Sequence, residues 1–209
     1  MDAYIIGNGG FAKELWQIIS EYSQYNVQGF VDLDPNETST KVGGEIVKVY
    51  EQATFINDFF GKELALFIGL GDPKVISVVT TKFKDFYFPN FIHPNSDVIR
   101  NHVKLGQGNI VTSGCVFTVD IDVGSYNIFN LNTTIGHDVS IGNSNVFNPG
   151  SNISGSVTIG NSNLFGTNCS ILQEKKIGSG STIGASCVIT KDYGNDLTIV
   201  GVPGKVLQR

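Results

Sequence analysis

The sequence is poor in several residue types, and each shortage closes off a class of function. Its 209 residues include one methionine, one tryptophan, three cysteines and three histidines. Charged residues make up only 16% of the chain and lean acidic, with a formal net charge of −5. No run of Lys and Arg is longer than the pair Lys175-Lys176, so the basic stripe that nucleic-acid binding needs is missing. No apolar run approaches the ~20 residues with which a helix crosses a bilayer. The cysteines, Cys115, Cys169 and Cys187, are odd in number and far apart, which fits a reducing compartment better than a disulfide framework. The first ten residues open on an acid and run straight into a strand-like segment, unlike a signal peptide. The expectation is a cytoplasmic protein without nucleic-acid or membrane partners.

What the chain has in plenty is glycine, 25 residues of it, and it falls into two rhythms. Residues 1–90 read as α/β. Tyr4-Ile5-Ile6 is a short strand ending in Gly7-Asn8-Gly9-Gly10, followed by a helical stretch over 11–22 with Phe11, Leu15, Ile18, Ile19 and Tyr22 on one face. Val27 to Val31 is a second strand, ending in the acids Asp32 and Asp34. Residues 65–70 are a third, ending at Gly69 and Gly71, and Asp72-Pro73 opens another helix over 74–82. A strand, a glycine turn, a helix and a second strand with a terminal acid make the start of an open parallel sheet. Ligands of such sheets sit at the carboxyl ends of the strands.

Residues 91–209 follow another rule. Starting at Ile99 and stepping by six, sixteen successive positions to Ile189 are large and apolar, among them Val111, Phe129, Ile135, Phe147, Ile153 and Phe165. The next residue is glycine in eight of the sixteen. A six-residue period of this kind signals a parallel β-helix, in which three short strands make one triangular coil of 18 residues. The large residues point inward, and glycines and small residues are expected to let the backbone turn the corners. An 18-residue echo supports the coil: Asn109, Asn127, Asn145 and Asn163 recur at that spacing, as do Phe129, Phe147 and Phe165. The cysteines share one small station of the repeat and read as core fillers rather than nucleophiles.

The repeat resembles that of the hexapeptide-repeat acyltransferases, and the resemblance implies that the β-helix is left-handed. Its pairing with a small Rossmann-like domain resembles the sialic-acid O-acetyltransferase-like branch, which includes bacterial N-acetyltransferases acting on nucleotide-linked 4-amino-sugars. Four segments carry the likeness in order: residues 5–14 (IIGNGGFAKE), Ile92-His93-Pro94, Ile135-Gly136-His137-Asp138, and Gly201-Val202-Pro203-Gly204-Lys205. The resemblance implies a homotrimer with active sites between subunits, acetyl-CoA as co-substrate and no metal. The acceptor is then a nucleotide-linked amino-sugar, a 4-amino-4,6-dideoxy sugar by the same likeness, destined for a bacterial surface glycan or glycoprotein. Whether the nucleotide is UDP, dTDP or GDP stays open.

Acetyl transfer from a thioester to an amine needs a base, an oxyanion donor and two substrates held in line. Imidazole is the side chain best suited to the base at neutral pH, and His137 is followed at once by an acid, Asp138. A bland reading makes His137 an exposed corner residue, two places after the inward Ile135. The Gly-His-Asp setting within a β-helix favours the base, with Asp138 as the group that orients it. By the resemblance, the backbone N–H of Gly155 faces the acetyl carbonyl, and Asn130 lies near the sugar, although Asn130 and Asn148 also stand 18 residues apart and could simply stack. Val146, Asn148, Gly155, Thr167, Ala185, Pro203 and Lys205 are implied to line the CoA channel. Relatives often carry a second histidine where this chain has Val146. For the nucleotide, Gly9 and Gly10 would meet the phosphates at the free N–H groups of a helix N-terminus, with Phe11 beside them where relatives often have histidine. Asp32 would lie near the base or ribose, and Leu70 would complete the substrate site. Asp34 and Asp72 are further neighbours, although strand-end acids commonly serve as caps.

Three other readings compete. An O-acetyltransferase would use the same base and donor on a sugar hydroxyl. A zinc hydrolase of the carbonic-anhydrase type would need three converging histidines, whereas His93, His102 and His137 put only one in the middle of the β-helix. A non-catalytic trimerising scaffold would have no use for His137, Asp138 and Gly155 together.

Overall fold

The computed structural model describes residues 1–33 and 35–207. The chain divides into two compact units, Met1–Gly71 with Val78–Pro89, and Asp72–Ser77 with Asn90–Arg209. In the first unit the elements run β1 (Asp2–Ile6), α1 (Gly10–Tyr22), β2 (Asn26–Asp32), β3 (Ser39–Val42), β4 (Glu45–Glu51), α2 (Gln52–Phe59) and β5 (Ala65–Ile68), and α3 (Pro73–Lys82) is divided between the units after Ser77. The strand order is β3-β4-β2-β1-β5, and β1 is parallel to both of its neighbours. The chain leaves β1 on one side and returns to β5 on the other, so the carboxyl end of β1 is a topological switch point.

Three elements of this unit, β3, β4 and α2, are absent from the sequence reading. β3 and β4 form a hairpin closed by Gly43 and Gly44, both left-handed at φ +56° and +99°, the requirement of a type I′ turn. α2 begins where the Glu51 carboxylate accepts from the N–H groups of Ala53 (2.8 Å) and Thr54 (2.7 Å). Those bonds hold the Glu51 carboxyl below its ordinary pKa. The buried face of α1 also differs from expectation. It is Ala12, Leu15 and Ile19, whereas Tyr22 is exposed and Phe11 half-buried. The cause is close approach to the strand end: a Cβ built on Gly69 would fall 2.7 Å from the Ala12 Cβ, so α1 docks on its smallest side chain and its apolar face rotates accordingly.

The second unit is a left-handed parallel β-helix with three faces of six, five and eight strands. Inward residues stack in 18-residue register, for example Phe117 on Ile135 on Ile153 on Ile171 on Ile189. Phe129, Phe147 and Phe165 stack in a column with nearly parallel rings, their centroids 4.8 and 4.4 Å apart. The six-residue rule slips at both ends. The first coil is one residue longer, Phe117 pairing with Val98, so Val98 packs on the core and Ile99 is exposed. The last coil is two residues shorter, with Ile183 pairing with Ile199.

The corners turn on one residue in every six, three places after the inward residue. From Gly108 to Ser186 every sixth residue is left-handed, at φ between +54° and +75°. Most of these are Asp, Asn or Ser, whose short polar side chains tolerate that conformation. Many glycines that follow inward residues have ordinary φ and serve another end. A Cβ on Gly142 would fall 2.8 Å from the Gly160 carbonyl oxygen in the next coil, so glycine there lets coils close to hydrogen-bonding distance.

Inside one corner runs a buried asparagine ladder. Asn145 Oδ1 accepts from the Asn163 backbone N–H (2.9 Å) and side-chain amide (3.0 Å). The Asn145 amide in turn donates to Asn127 Oδ1 (3.0 Å) and the Gly160 carbonyl (2.9 Å). The ladder starts at Asn90 and ends at Ser181. Asn145→Ala would orphan the Asn163 N–H and the Gly160 carbonyl, and a buried orphan costs about 1–3 kcal/mol. Urea denaturation at fixed protein concentration is expected to find Asn145→Ala destabilised by about 2–4 kcal/mol; an unchanged midpoint would show that the ladder contributes nothing.

Candidate functional site

Each unit carries one station of chemical interest. In the first, a cavity of about 290 Å³ opens at the carboxyl ends of β1, β2 and β5. Gly9, Gly10, Phe11, Asp32 and Leu70, singled out in the sequence as nucleotide-side residues, all line it. Ile6 pairs with Val31, which sets Asp32 beside Gly7, the first residue of the turn. Gly7 must be glycine: it is left-handed at φ +101°, and a Cβ would lie 2.8 Å from the Gly69 carbonyl oxygen. Gly9 and Gly10 face open space. Gly9 caps α1 without any side-chain hydrogen bond, and the first backbone bond of the helix is Lys13 N–H to the Gly9 carbonyl. The N–H groups of the first turn therefore meet the cavity edge with the positive end of the helix dipole, a setting for an anion. Asp72 is a cap, accepting from the Lys74 N–H at 2.8 Å, and does not line the cavity. Asp34 lies outside the described residues.

The second station is an edge of the β-helix. His137 and Asp138 follow the inward Ile135, and Asp138 is left-handed at φ +59°. That turn brings its carboxylate back to the preceding side chain, with Oδ2 2.7 Å from His137 Nδ1. Nδ1–H donation to that carboxylate leaves Nε2 as the lone-pair nitrogen. Both side chains are more than half exposed. The ring lies over Gly155 of the next coil: a Cβ there would be 2.5 Å from both Cε1 and Nε2. Among the described residues no backbone carbonyl accepts from the Gly155 N–H.

The remaining residues fall elsewhere. Asn130, Asn148, Thr167 and Ala185 lie on a different edge, the corner that follows Phe129, Phe147, Phe165 and Ile183. Asn130 Oδ1 accepts from the Leu131 N–H at 2.9 Å. Thr167 and Ala185 are exposed and stand one coil apart. Val146 is buried. Pro203 and Lys205 are exposed in the terminal segment, where Lys205-Val206 pairs antiparallel with the strand Thr198–Val200. Of the other histidines, His93 is buried and its Nδ1 accepts from the Asn95 N–H at 3.0 Å. His102 stands 3.6 Å from Asp120, one coil before Asp138. Among the described residues no group of three or more His, Cys, Asp and Glu is arranged to hold a metal, and no helix is long and apolar enough to cross a membrane.

The profile of the PglD N-terminal domain matches residues 2–83. Among solved structures, PerB from Caulobacter crescentus, in complex with CoA and GDP-perosamine, is 27% identical with a TM-score of 0.90, over 100% of this chain and 98% of that one. A variant of perosamine N-acetyltransferase from the same organism, with one histidine replaced by asparagine and the same two ligands bound, is 26% identical with a TM-score of 0.89, over 100% and 98%. The acetyltransferase domain of PglB from Neisseria gonorrhoeae, in complex with acetyl coenzyme A, is 27% identical with a TM-score of 0.86, over 99% and 98%. No curated relative matches the chain.

The cysteines are buried and take no part in either station. Burial pushes the Cys115 and Cys169 thiols up to about 11 and raises that of Cys187, so almost no thiolate forms near neutrality. Ellman's reagent at pH 8 is expected to find no fast-reacting thiol in the native protein and three after denaturation. A fast native thiol would return cysteine to the list of candidate nucleophiles.

Proposed function

We propose that this chain is an acetyl-CoA-dependent enzyme of the nucleotide-sugar N-acetyltransferase branch of the hexapeptide-repeat acyltransferases, and that it acetylates the 4-amino group of a nucleotide-linked 4-amino-4,6-dideoxy sugar, with His137 as general base. The observation that carries this reading is the His137 imidazole, tied to Asp138 at 2.7 Å and seated over Gly155. The sugar nitrogen attacks the thioester carbonyl carbon while Nε2 takes its proton. The oxyanion that forms receives the Gly155 N–H. Collapse breaks the C–S bond, and the imidazolium returns the proton to the departing CoA thiolate. Asp138 fixes the tautomer and favours the imidazolium that forms, as the orienting acid does in a catalytic triad.

The two units divide the labour. Residues 1–90 hold the nucleotide, its phosphates on the α1 N-terminus and Asp32 facing ribose or base, while residues 91–209 carry the chemistry. A homotrimer completes the site. His137 and Gly155 stand on one edge of the prism, and Asn148, Thr167 and Ala185 on another, so one acetyl-CoA meets both sets only where the edges of two subunits face each other. Such an enzyme works in the cytoplasm, where acetyl-CoA is made.

His137→Ala is expected to lower kcat for the amino-sugar nucleotide by about 10²- to 10⁴-fold while leaving KM for acetyl-CoA near its original value. Full activity in that variant would remove His137 as the base, and turnover of a hydroxyl analogue in preference to the amine would replace N- with O-acetylation. A thermal-shift series is expected to show stabilisation by a nucleoside diphosphate through binding to the folded state. No response to GDP, UDP or dTDP would remove the nucleotide reading of the cavity.

A further inference from the structure

Two glycines at the His137 edge are not required by their own backbone. Neither Gly136 nor Gly155 is among the left-handed residues. The corner does not demand glycine there either. Stepping by 18 along the column of Gly136 gives Thr118, Ser154, Leu172 and Thr190, and along that of Gly155 gives His137 and Gln173. All of these follow inward residues in the same register. What distinguishes the pair is the group each one meets. A Cβ on Gly136 would lie 2.8 Å from the Gly155 nitrogen and 2.9 Å from the Ser154 carbonyl carbon, against the face of the peptide joining them. A Cβ on Gly155 would lie inside the His137 ring contact, at 2.5 Å. Close approach to the next coil recurs at Gly106, Gly124, Gly142, Gly160 and Gly166; at Gly136 the peptide so approached is Ser154-Gly155, with the imidazole over the Gly155 α-carbon.

We propose that Gly136 is a positioning residue for acetyl transfer: by lacking a Cβ it seats the Ser154-Gly155 peptide where the Gly155 N–H and His137 Nε2 serve the same reacting carbonyl. The proposal rests on the reading of Gly155 as oxyanion donor. A donor of that kind acts only within about 2.7–3.1 Å of the oxyanion. A methyl group at position 136 must push against backbone, not against a side chain that can swing away, so the whole peptide moves and its N–H moves with it. The station itself accepts a side chain, because Thr118, Ser154 and Leu172 occupy it in the same column. The effect therefore falls on the transition state and not on binding.

The test is Gly136→Ala, assayed with acetyl-CoA and the amino-sugar nucleotide that the unmodified enzyme turns over. The expected result is a fall in kcat of about 10- to 100-fold, with both KM values, the dissociation constant for CoA and the melting temperature close to those of the unmodified protein. A loss confined to kcat marks an interaction made only in the transition state. Unchanged kcat in a folded variant overturns the proposal. So does a fall in kcat that comes with lost CoA affinity and a lowered melting temperature, which would make Gly136 a glycine of the fold. Either outcome leaves the acetyl-transfer reading in place, because that reading stands or falls with turnover by the unmodified enzyme and its His137 variant.

Discussion

Hydrogen bonding between successive coils dictates the geometry of everything in the second unit. A coil can pair with the next only if equivalent residues arrive at the same angular position, and 18 residues per turn bring that about from Val111 to Ile189. The register is held inside by the Asn109–Asn163 ladder and the stacked phenylalanines. At the corners it is held by a left-handed residue every six positions. Polar groups buried this deeply are stable only when every partner is present, so the coil leaves little freedom in height or rotation. A rigid scaffold of this kind suits chemistry in which a donor and a base must share one reacting atom.

The same rigidity explains why the candidate residues divide between edges. Stations after the strands 134–135 and 152–153 carry His137, Asp138 and Gly155. Stations after 146–147, 164–165 and 182–183 carry Asn148, Thr167 and Ala185. A face of the prism separates them within one chain, and a second chain is the simplest way to bring the two sets together. In the first unit the open sheet solves a different problem. Its switch point leaves the α1 N-terminus and the Asp32 carboxylate beside one cavity, a donor array and an acceptor next to each other. An array of that kind suits a ligand that is anionic at one end and rich in hydroxyl or N–H groups at the other.

Much of this was legible in the amino-acid order, because a period of six with an 18-residue echo has few physical solutions. The reading failed where the period itself failed. Ile99 keeps step in the sequence but not in space, because the first coil holds one extra residue and Val98 takes its place. The α1 face was misjudged by counting large residues, when contact with Gly69 depends on the small Ala12. The β3–β4 hairpin and α2 were missed although Gly43-Gly44 and the Glu51 cap are local signals, since short elements in a mixed segment give little periodicity. The family resemblance singles out His137-Asp138 by motif and Gly155 by its matching place in the repeat. Nothing in the sequence alone distinguishes Gly136 from the other glycines that follow inward residues; that distinction needs the coil above it.

In the proposed mechanism an imidazole seated over Gly155 faces a thioester that a neighbouring chain helps to hold. A crystal structure with a non-hydrolysable acetyl-CoA analogue and the amino-sugar nucleotide tests it most directly. The account predicts His137 Nε2 within about 3 Å of the acceptor nitrogen and the analogue's carbonyl oxygen on the Gly155 N–H, with CoA lying between two subunits. A complex in which the position 137 side chain points to solvent, away from both ligands, would contradict it.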